Sequence, residues 1–286
     1  MNICPLLALR SLIKNKLRTL TTSVGIFLAV LLMSAISVLV TSVISSLTAA
    51  EVNQHGDWHF YVSEASDTQI NDVLNTNKVA KYCTASDQGI SNIADPVDQE
   101  KTSIQLTAVS PSFFEMMPVQ LIEGRLPQKE NEILIPVHLK NDYKFKVGGD
   151  ITLNLTKKPK DQDPIGGGLV QILSSLGLDN EDNGDEERKT CLIVGVCEVV
   201  DALEFIYYSS YTALTLDAME GFQEKDVYFK LKNPRANYYI ITDNFSEDSI
   251  IPNFHLLDVL GVGMGESVGK ALEVVAIFLI LIIALA

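Results

Sequence analysis

The sequence predicts an α+β protein whose large domain is carried on an N-terminal membrane helix, and three observations predict it. No charged residue occurs from Leu20 to Ala50, residues 51–267 carry 35 acids against 17 bases, and within that acidic stretch short β-like runs alternate with helical ones. A mean hydropathy of +0.19 beside 20% charged residues fits this division, because the apolar content is concentrated at the two ends of the chain.

The helix comes first. Val24 to Val40 is apolar apart from Ser34 and Ser37, and a bilayer core of about 30 Å needs about 20 such residues. The uncharged run is longer than that, so the helix is expected to emerge from lipid and continue as a stalk to about Glu51. Arg10, Lys14, Lys16 and Arg18 precede it with no acid among residues 1–50, which places the N-terminus in the cytoplasm. A cleaved signal peptide has an apolar region of about 7 to 15 residues, shorter than the one here. Before the span, Ile3, Leu6, Leu7, Leu9, Leu12, Ile13, Leu17 and Leu20 recur at spacings of three and four beside the stripe Arg10, Lys14, Arg18. Residues 1–19 therefore read either as an interfacial amphipathic helix or as a cytoplasmic extension of the span with snorkelling bases.

The middle, 51–267, has a net charge of −18. Such a surface repels phosphate, which excludes nucleic acid as a partner. Strands are expected at Trp58–Val62, Ile104–Val109, Glu132–Ile135, Ile151–Leu155, Thr190–Val200, Tyr207–Leu216 and Asp226–Leu231. A helix is expected over Ser66–Asn77, capped by Ser66 or Asp67, with Ile70, Val73 and Leu74 on one face. Shorter helices are expected at Pro111–Met117, Pro136–Tyr143 and Pro234–Phe245, the last with Asn233 as N-cap and proline in the first turn. Asp161–Arg188 breaks the pattern with Gly166, Gly167, Gly168, a small apolar patch and an acid run. It reads as an insertion, or as an amphipathic contact element.

At the far end, Val268–Ala286 is apolar except for Lys270 and Glu273 in its first two turns, and is expected to begin a second membrane helix that stops short. The chain is accordingly read as truncated relative to a longer membrane protein.

No pattern for chemistry survives inspection. Asp179, Glu181, Asn183 and Gly184 begin like a calcium loop, but the twelfth position is Thr190, where a bidentate acid is needed. His55 and His59 of HGDWH are four apart, the spacing of a zinc pair on a helix, but Gly56 and the following β-like run predict instead a turn entering a strand at a solvated domain edge. Gly261, Gly263 and Gly265 form GVGMG without the strand-turn-helix of a nucleotide site, and are expected to serve as a hinge. Cys83, Cys191 and Cys197 lack metal-ligand spacing. Cys191 and Cys197 are six apart, which on a regular strand puts both on one face as buried packing residues. There is no GxSxG, no SxxK and no cysteine–histidine motif. The expected catalytic, cofactor and metal residues are therefore none, and the chain is not expected to be an enzyme.

The order of residues in LALRSLIKNKLRTLTTSVGIFLAV (Leu7–Val30) resembles the opening of MacB/FtsX-like permeases of ABC transporters. EGRLPQKENEILIPVHL (Glu123–Leu139), KVGGDITL (Lys146–Leu153), IVGV (Ile193–Val196) and YFKLKNPR (Tyr228–Arg235) resemble landmarks of that family's extracytoplasmic domain. The resemblance implies a membrane-proximal α/β part at about 51–120 and 225–260, an inserted β-rich part at about 121–224 and a flexible insertion at 161–189. It also implies a partner cytoplasmic ATPase, a second permease copy, contact with lipid, and mechanical export or extraction of peptides, antibiotics or lipoproteins. The resemblance further implies a cytoplasmic coupling segment and two more spans, so the chain is expected to be a fragment, a split gene product or a degenerate half. A membrane-tethered module that binds or senses an extracytoplasmic ligand is the alternative reading of the same chain.

Overall fold

The computed structural model describes residues 16–98, 100–156, 187–198, 210–216, 225–246, 249–262 and 268–285. Its first element is α1 (Lys16–His55), a single 40-residue helix that buries none of its residues and exposes Leu17, Ile26, Phe27, Val30, Val38 and Leu39. Five of its Ser and Thr hydroxyls, among them Ser34, Ser37 and Thr41, donate to carbonyls three or four residues back. That removes the cost of polar groups on an apolar helix. Among the described residues it is the one helix long and apolar enough to cross a membrane.

After α1 come β1 (Phe60–Ala65), α2 (Asp67–Asn75), β2 (Val79–Asn92), β3 (Ser103–Val109), α3 (Phe113–Met116), β4 (Leu121–Gly124), β5 (Glu132–Pro136), α4 (Val137–Tyr143) and β6 (Asp150–Leu155). They are followed by β7 (Glu187–Cys197), β8 (Ser210–Leu216), β9 (Lys225–Leu231), α5 (Pro234–Thr242), β10 (Ile250–Pro252), α6 (Phe254–Val259) and α7 (Val268–Leu285). Contacts divide the chain into two units, Val52–Phe254 and the combination of Met1–Glu51 with His255–Ala286.

Within Val52–Phe254 the strands form one sheet in the order β10-β1-β9-β2-β3-β8-β5-β7-β4, with β6 also on β7. The β3–β8 and β5–β7 pairs are parallel and the others antiparallel. Alternation along the strands sends side chains to separate apolar clusters. Trp58, Cys83, Ala85, Val109, Leu214 and Tyr228 pack with Phe113 and Met116 of α3, whereas Ile104, Leu106, Tyr211 and Ala213 pack with Leu139 of α4. Phe60, Val62, Phe229 and Leu231 make a third cluster with Ile70 and Val73 of α2 and Ile241 of α5.

The helix expected from Ser66 forms as α2, and its cap is the reciprocal box: Ser66 accepts from the Gln69 N–H while the Gln69 side chain accepts from the Ser66 N–H. At α5, Pro234 occupies the first turn as expected, but Asn233 does not cap with its side chain. Its backbone is left-handed, at φ 48°, so the Asn233 side chain is not placed to accept from the first turn.

The two β7 cysteines depart from the expected face. Cys191 packs in the Ile104 cluster and Cys197 in the Trp58 cluster, because the β5–β7 register shifts between Ile133 and Leu134, opposite Ile193 and Gly195. One extra residue there exchanges the two faces of the sheet. Both thiols, with Cys83, are free and buried. The calcium-like residues Asp179–Gly184 and the patch Leu169–Leu178 lie outside the described residues, as do residues 1–15, Gly263 and Gly265. Glu187–Lys189, expected to close the insertion, instead begin β7.

Candidate functional site

Residues His55–His59, where α1 ends, make a close set of specific contacts. A helix leaves its last carbonyls without intrahelical donors. Here the Trp58 indole N–H donates to the His55 carbonyl at 2.8 Å, and the Gly56 N–H closes on the Val52 carbonyl at 2.9 Å. Gly56 has φ 96°, and a Cβ on it would lie 2.9 Å from Trp58 Cδ1 and 3.1 Å from the Met116 carbonyl. Only glycine lets the chain reverse there without displacing the indole.

From that turn the backbone is tied to three neighbours. Asp57 N–H donates to the Met116 carbonyl at 2.6 Å, and His59 N–H to the Phe229 carbonyl at 2.8 Å. Asn253 N–H donates to the His59 carbonyl at 2.9 Å, and its side-chain amide to the Trp58 carbonyl at 3.0 Å. Asp57 also pairs with Lys230. Trp58 is 8% exposed and meets Tyr61 and Tyr228 edge-on, at centroid distances of 5.9 and 5.3 Å. The residues that follow α1 are thereby joined to β9, to α3 and to Asn253, just beyond β10.

His59 is the buried member of the motif. Its Nδ1 accepts the Leu231 N–H at 2.9 Å, so the ring is neutral with its proton on Nε2. Burial pushes its pKa down to about 4 against a smaller opposing pull from Asp57. A ring committed in this way has no Nδ1 lone pair for a metal, and His55 terminates the helix rather than sharing a helical face with it. The HGDWH sequence is thus a structural joint: the turn into a strand forms as expected, but the edge is not solvated, because Trp58 and His59 are buried in the sheet's packing.

A second joint lies at the other edge of the sheet. Arg125 grips Glu132 through both carboxylate oxygens, each at 2.7 Å, and the Gln128 N–H adds a third bond at 2.8 Å. The hydrogen bonds from Arg125 and then Gln128 hold the Glu132 carboxyl down at about 2. Next to it, Gly124 at φ 82° would place a Cβ 2.3 Å from the Val194 carbonyl, and a Cβ on Gly195 would lie 2.4 Å from the Arg125 carbonyl. Two glycines facing each other let β4 close on β7. The segments EGR, NEI and IVGV are therefore one clasp, seen from three places in the chain.

Sequence reasoning singled out the histidines and the glycine but not Lys230, Met116 or Asn253, which complete the first joint. They lie far away in sequence, and nothing in their local pattern marks them.

No family model and no curated protein matches the chain. Among solved structures, a domain from a Porphyromonas gingivalis protein described as a permease matches at 14% identity and a TM-score of 0.36. The match covers 70% of this chain and 87% of that one. The periplasmic region of MacB from Actinobacillus actinomycetemcomitans matches at 10% identity and a TM-score of 0.42, covering 74% and 96%. The extracellular domain of YknZ, a noncanonic ABC-type transporter from Gram-positive bacteria, matches at 8% identity and 0.38, covering 68% and 98%. The chain is similar to MacB/FtsX-like extracytoplasmic domains. At scores this low, no residue role or activity crosses from those proteins to this chain.

Proposed function

We propose that this chain is the permease subunit, or its N-terminal half, of an ABC transporter in which a separate cytoplasmic ATPase supplies the energy and the membrane protein transmits motion outward. The observation that carries this reading is the unbroken α1, followed at once by Gly56, Asp57, Trp58 and His59, which are tied to β9, to α3 and to Asn253. A 40-residue helix is roughly 60 Å long, about twice a bilayer core. About half of it would stand clear of lipid, and its fixed end would pass any shift or rotation directly to the sheet.

On this reading the N-terminus is cytoplasmic, residues 51–267 are extracytoplasmic, α7 begins a second span, and two copies pair through their membrane helices. The segment 121–224, which contains β4 to β8, is the inserted β-rich part. Export or extraction of peptides, antibiotics or lipoproteins is the function class that the sequence resemblance supports, and the chain itself performs no chemistry.

Two measurements test it. With a cysteine placed at exposed Ala80, a membrane-impermeant maleimide should label Ala80→Cys in intact cells and Cys4 only after lysis. The reverse pattern overturns the orientation. An ATPase subunit should co-purify with the membrane-extracted protein, and its consistent absence overturns the transporter reading.

A further inference from the structure

We propose that the sheet face beside the bulges of β1 and β2 binds an organic ammonium group, of the kind a lysine side chain or a polyamine presents, with Asp226 and Asp87 as its anionic partners. The proposal concerns a binding site in the domain and does not depend on the transporter reading.

The site is a row of oxygen acceptors crossing five adjacent strands, β1-β9-β2-β3-β8. On β1, Glu64 sits in a bulge at φ 52°, a left-handed conformation uncommon for glutamate, and its N–H donates to Asp226 Oδ1 at 3.3 Å. On β9, Asp226 is paired with Ala85 of β2, and Asp87, two residues on, is paired with Thr107 of β3. Asp226 and Asp87 therefore point to the same face. Gln105, two residues from Thr107, donates Nε2–H to Asp87 Oδ1 and is paired with Thr212 of β8.

The acids are held against one another. The Asp226 carboxyl is raised to about 6, first by burial and then by the negative charges of Glu64 and Asp87. A cation placed between Asp226 and Asp87 would relieve that repulsion.

Independent of the charges, the floor of the row carries buried acceptors with nothing to accept. Gln105 is fully buried and its Oε1 has no hydrogen-bond partner, and the same is true of the hydroxyls of Thr107, 4% exposed, and Thr212, 8% exposed. Buried polar atoms are nearly always satisfied in native proteins, so three on adjacent positions of one face call for donors from elsewhere. An alkylammonium brings three N–H donors and no acceptor, which matches a lining of carboxylate, amide and hydroxyl oxygens.

An organic cation fits better than a metal ion. Among the described residues Glu64, Asp87 and Asp226 do not form a group of three carboxylates within 4.8 Å of one another, as a compact coordination shell would require. Beside Asp226 lies the ring of Tyr61, half-buried and tilted against Tyr228 at a centroid distance of 4.9 Å, with its hydroxyl pKa raised to about 12 by burial and by Asp226. An aromatic face adjoining a carboxylate suits an amine and its methylenes. The chain's formal net charge of −14 raises the local concentration of such cations.

The full chain in detergent micelles would be titrated with spermidine, methylammonium and calcium chlorides, each against sodium chloride of equal ionic strength. Thermal unfolding and tyrosine–tryptophan fluorescence provide the readouts. Spermidine should give a saturable response beyond the salt control, and Asp226→Asn and Asp87→Asn should each weaken it by about tenfold, as expected for loss of a charged hydrogen-bond partner. Asp150→Asn, at an exposed position on β6, should leave it unchanged. The proposal is overturned if spermidine acts no differently from sodium chloride, if calcium alone gives the saturable response, or if both Asp variants bind as the unaltered chain does. Asp87 is exposed and Asn is isosteric with Asp, so the Asp87→Asn variant should remain folded if the Asp226 variant does not.

Discussion

At the scale of single residues, two ionisable side chains, a neutral base and a charged acid, both have depressed pKa values, and both lose their contribution to stability as the pH falls, in different windows. His59 has a native pKa near 4 against 6.5 in the unfolded chain. Between those values the unfolded state binds more protons, so stability is complete above about pH 6.5 and falls as the pH drops toward 4. The shift corresponds to a loss of up to about 3 kcal/mol, which denaturant titrations at pH 7.5 and pH 4.5 would reveal. Substituting His59→Asn keeps an acceptor near Leu231 N–H without the ring's titration, so it should flatten that dependence while lowering stability at neutral pH. A slope unchanged by the substitution would assign the dependence to another group. Glu132 acts in the same direction in a more acidic window. Arg125 and the Gln128 N–H depress its pKa to about 2, so its contribution is present above the usual carboxylate range, near 4.5, and is lost as pH falls through 2. Glu132→Gln should lower the melting temperature at neutral pH and reduce the change in stability between pH 5 and pH 2, read by scanning calorimetry.

At the scale of elements, the joints matter more than the strands they connect. Gly56→Ala requires a side chain at φ 96°, with contacts of 2.9 Å to Trp58 and 3.1 Å to the Met116 carbonyl. It should cost at least about 1 kcal/mol and move the indole, so a blue or red shift in Trp58 emission would accompany the loss of stability. An unchanged spectrum and melting curve would show that the turn tolerates a Cβ. Gly124→Ala meets the Val194 carbonyl at 2.3 Å and should release β4 from β7, seen as faster amide exchange confined to Leu121–Gly124 and Gly195–Cys197. Some elements were readable in advance: Asp150–Leu155 alternates exposed and buried residues, and β3, β5 and β8 are almost continuously buried runs rich in apolar and β-branched residues. Strand β2 was not, although it is the longest at 14 residues. Its Lys81, Tyr82, Asp87 and Asn92 are exposed and a bulge at Asp87–Gly89 breaks its period. Strand β4 exposes all four residues and exists only because Gly124 and Gly195 bring its backbone to β7. The swapped faces of Cys191 and Cys197 have the same origin, since a bulge is set by the partner strand and leaves no mark in local sequence. Of the candidate sites, the glycine turn of HGDWH was legible and the Asp226 row was not, because its members come from five strands with no common spacing.

At the scale of the whole molecule, the mechanical reading depends on rigidity and is open to a direct test. A helix conveys displacement only if it is continuous, and α1 is helical without interruption from Lys16 to His55. Four glycines inserted between Ser45 and Ser46 fall beyond the apolar core of the span and before the junction, so both the membrane anchor and the contacts of Gly56, Trp58 and His59 remain. Each glycine costs about 1 kcal/mol of helix stability, enough together to melt a short segment into a flexible hinge. The domain should then unfold at an unchanged temperature, and surface expression should persist. What should disappear is any nucleotide-dependent change in the distance between two copies spin-labelled at Ala80→Cys, measured with the partner ATPase present. Restoring length with Ala-Glu-Ala-Lys in place of the glycines adds the same four residues but keeps the helix, advancing it by about one turn. Recovery with the helical insert and loss with the glycine insert would establish α1 as a rigid rod. If the glycine insert leaves the nucleotide response intact, α1 is only an anchor, and the domain it holds is a tethered binding module whose ligand is to be sought at the Asp226 row.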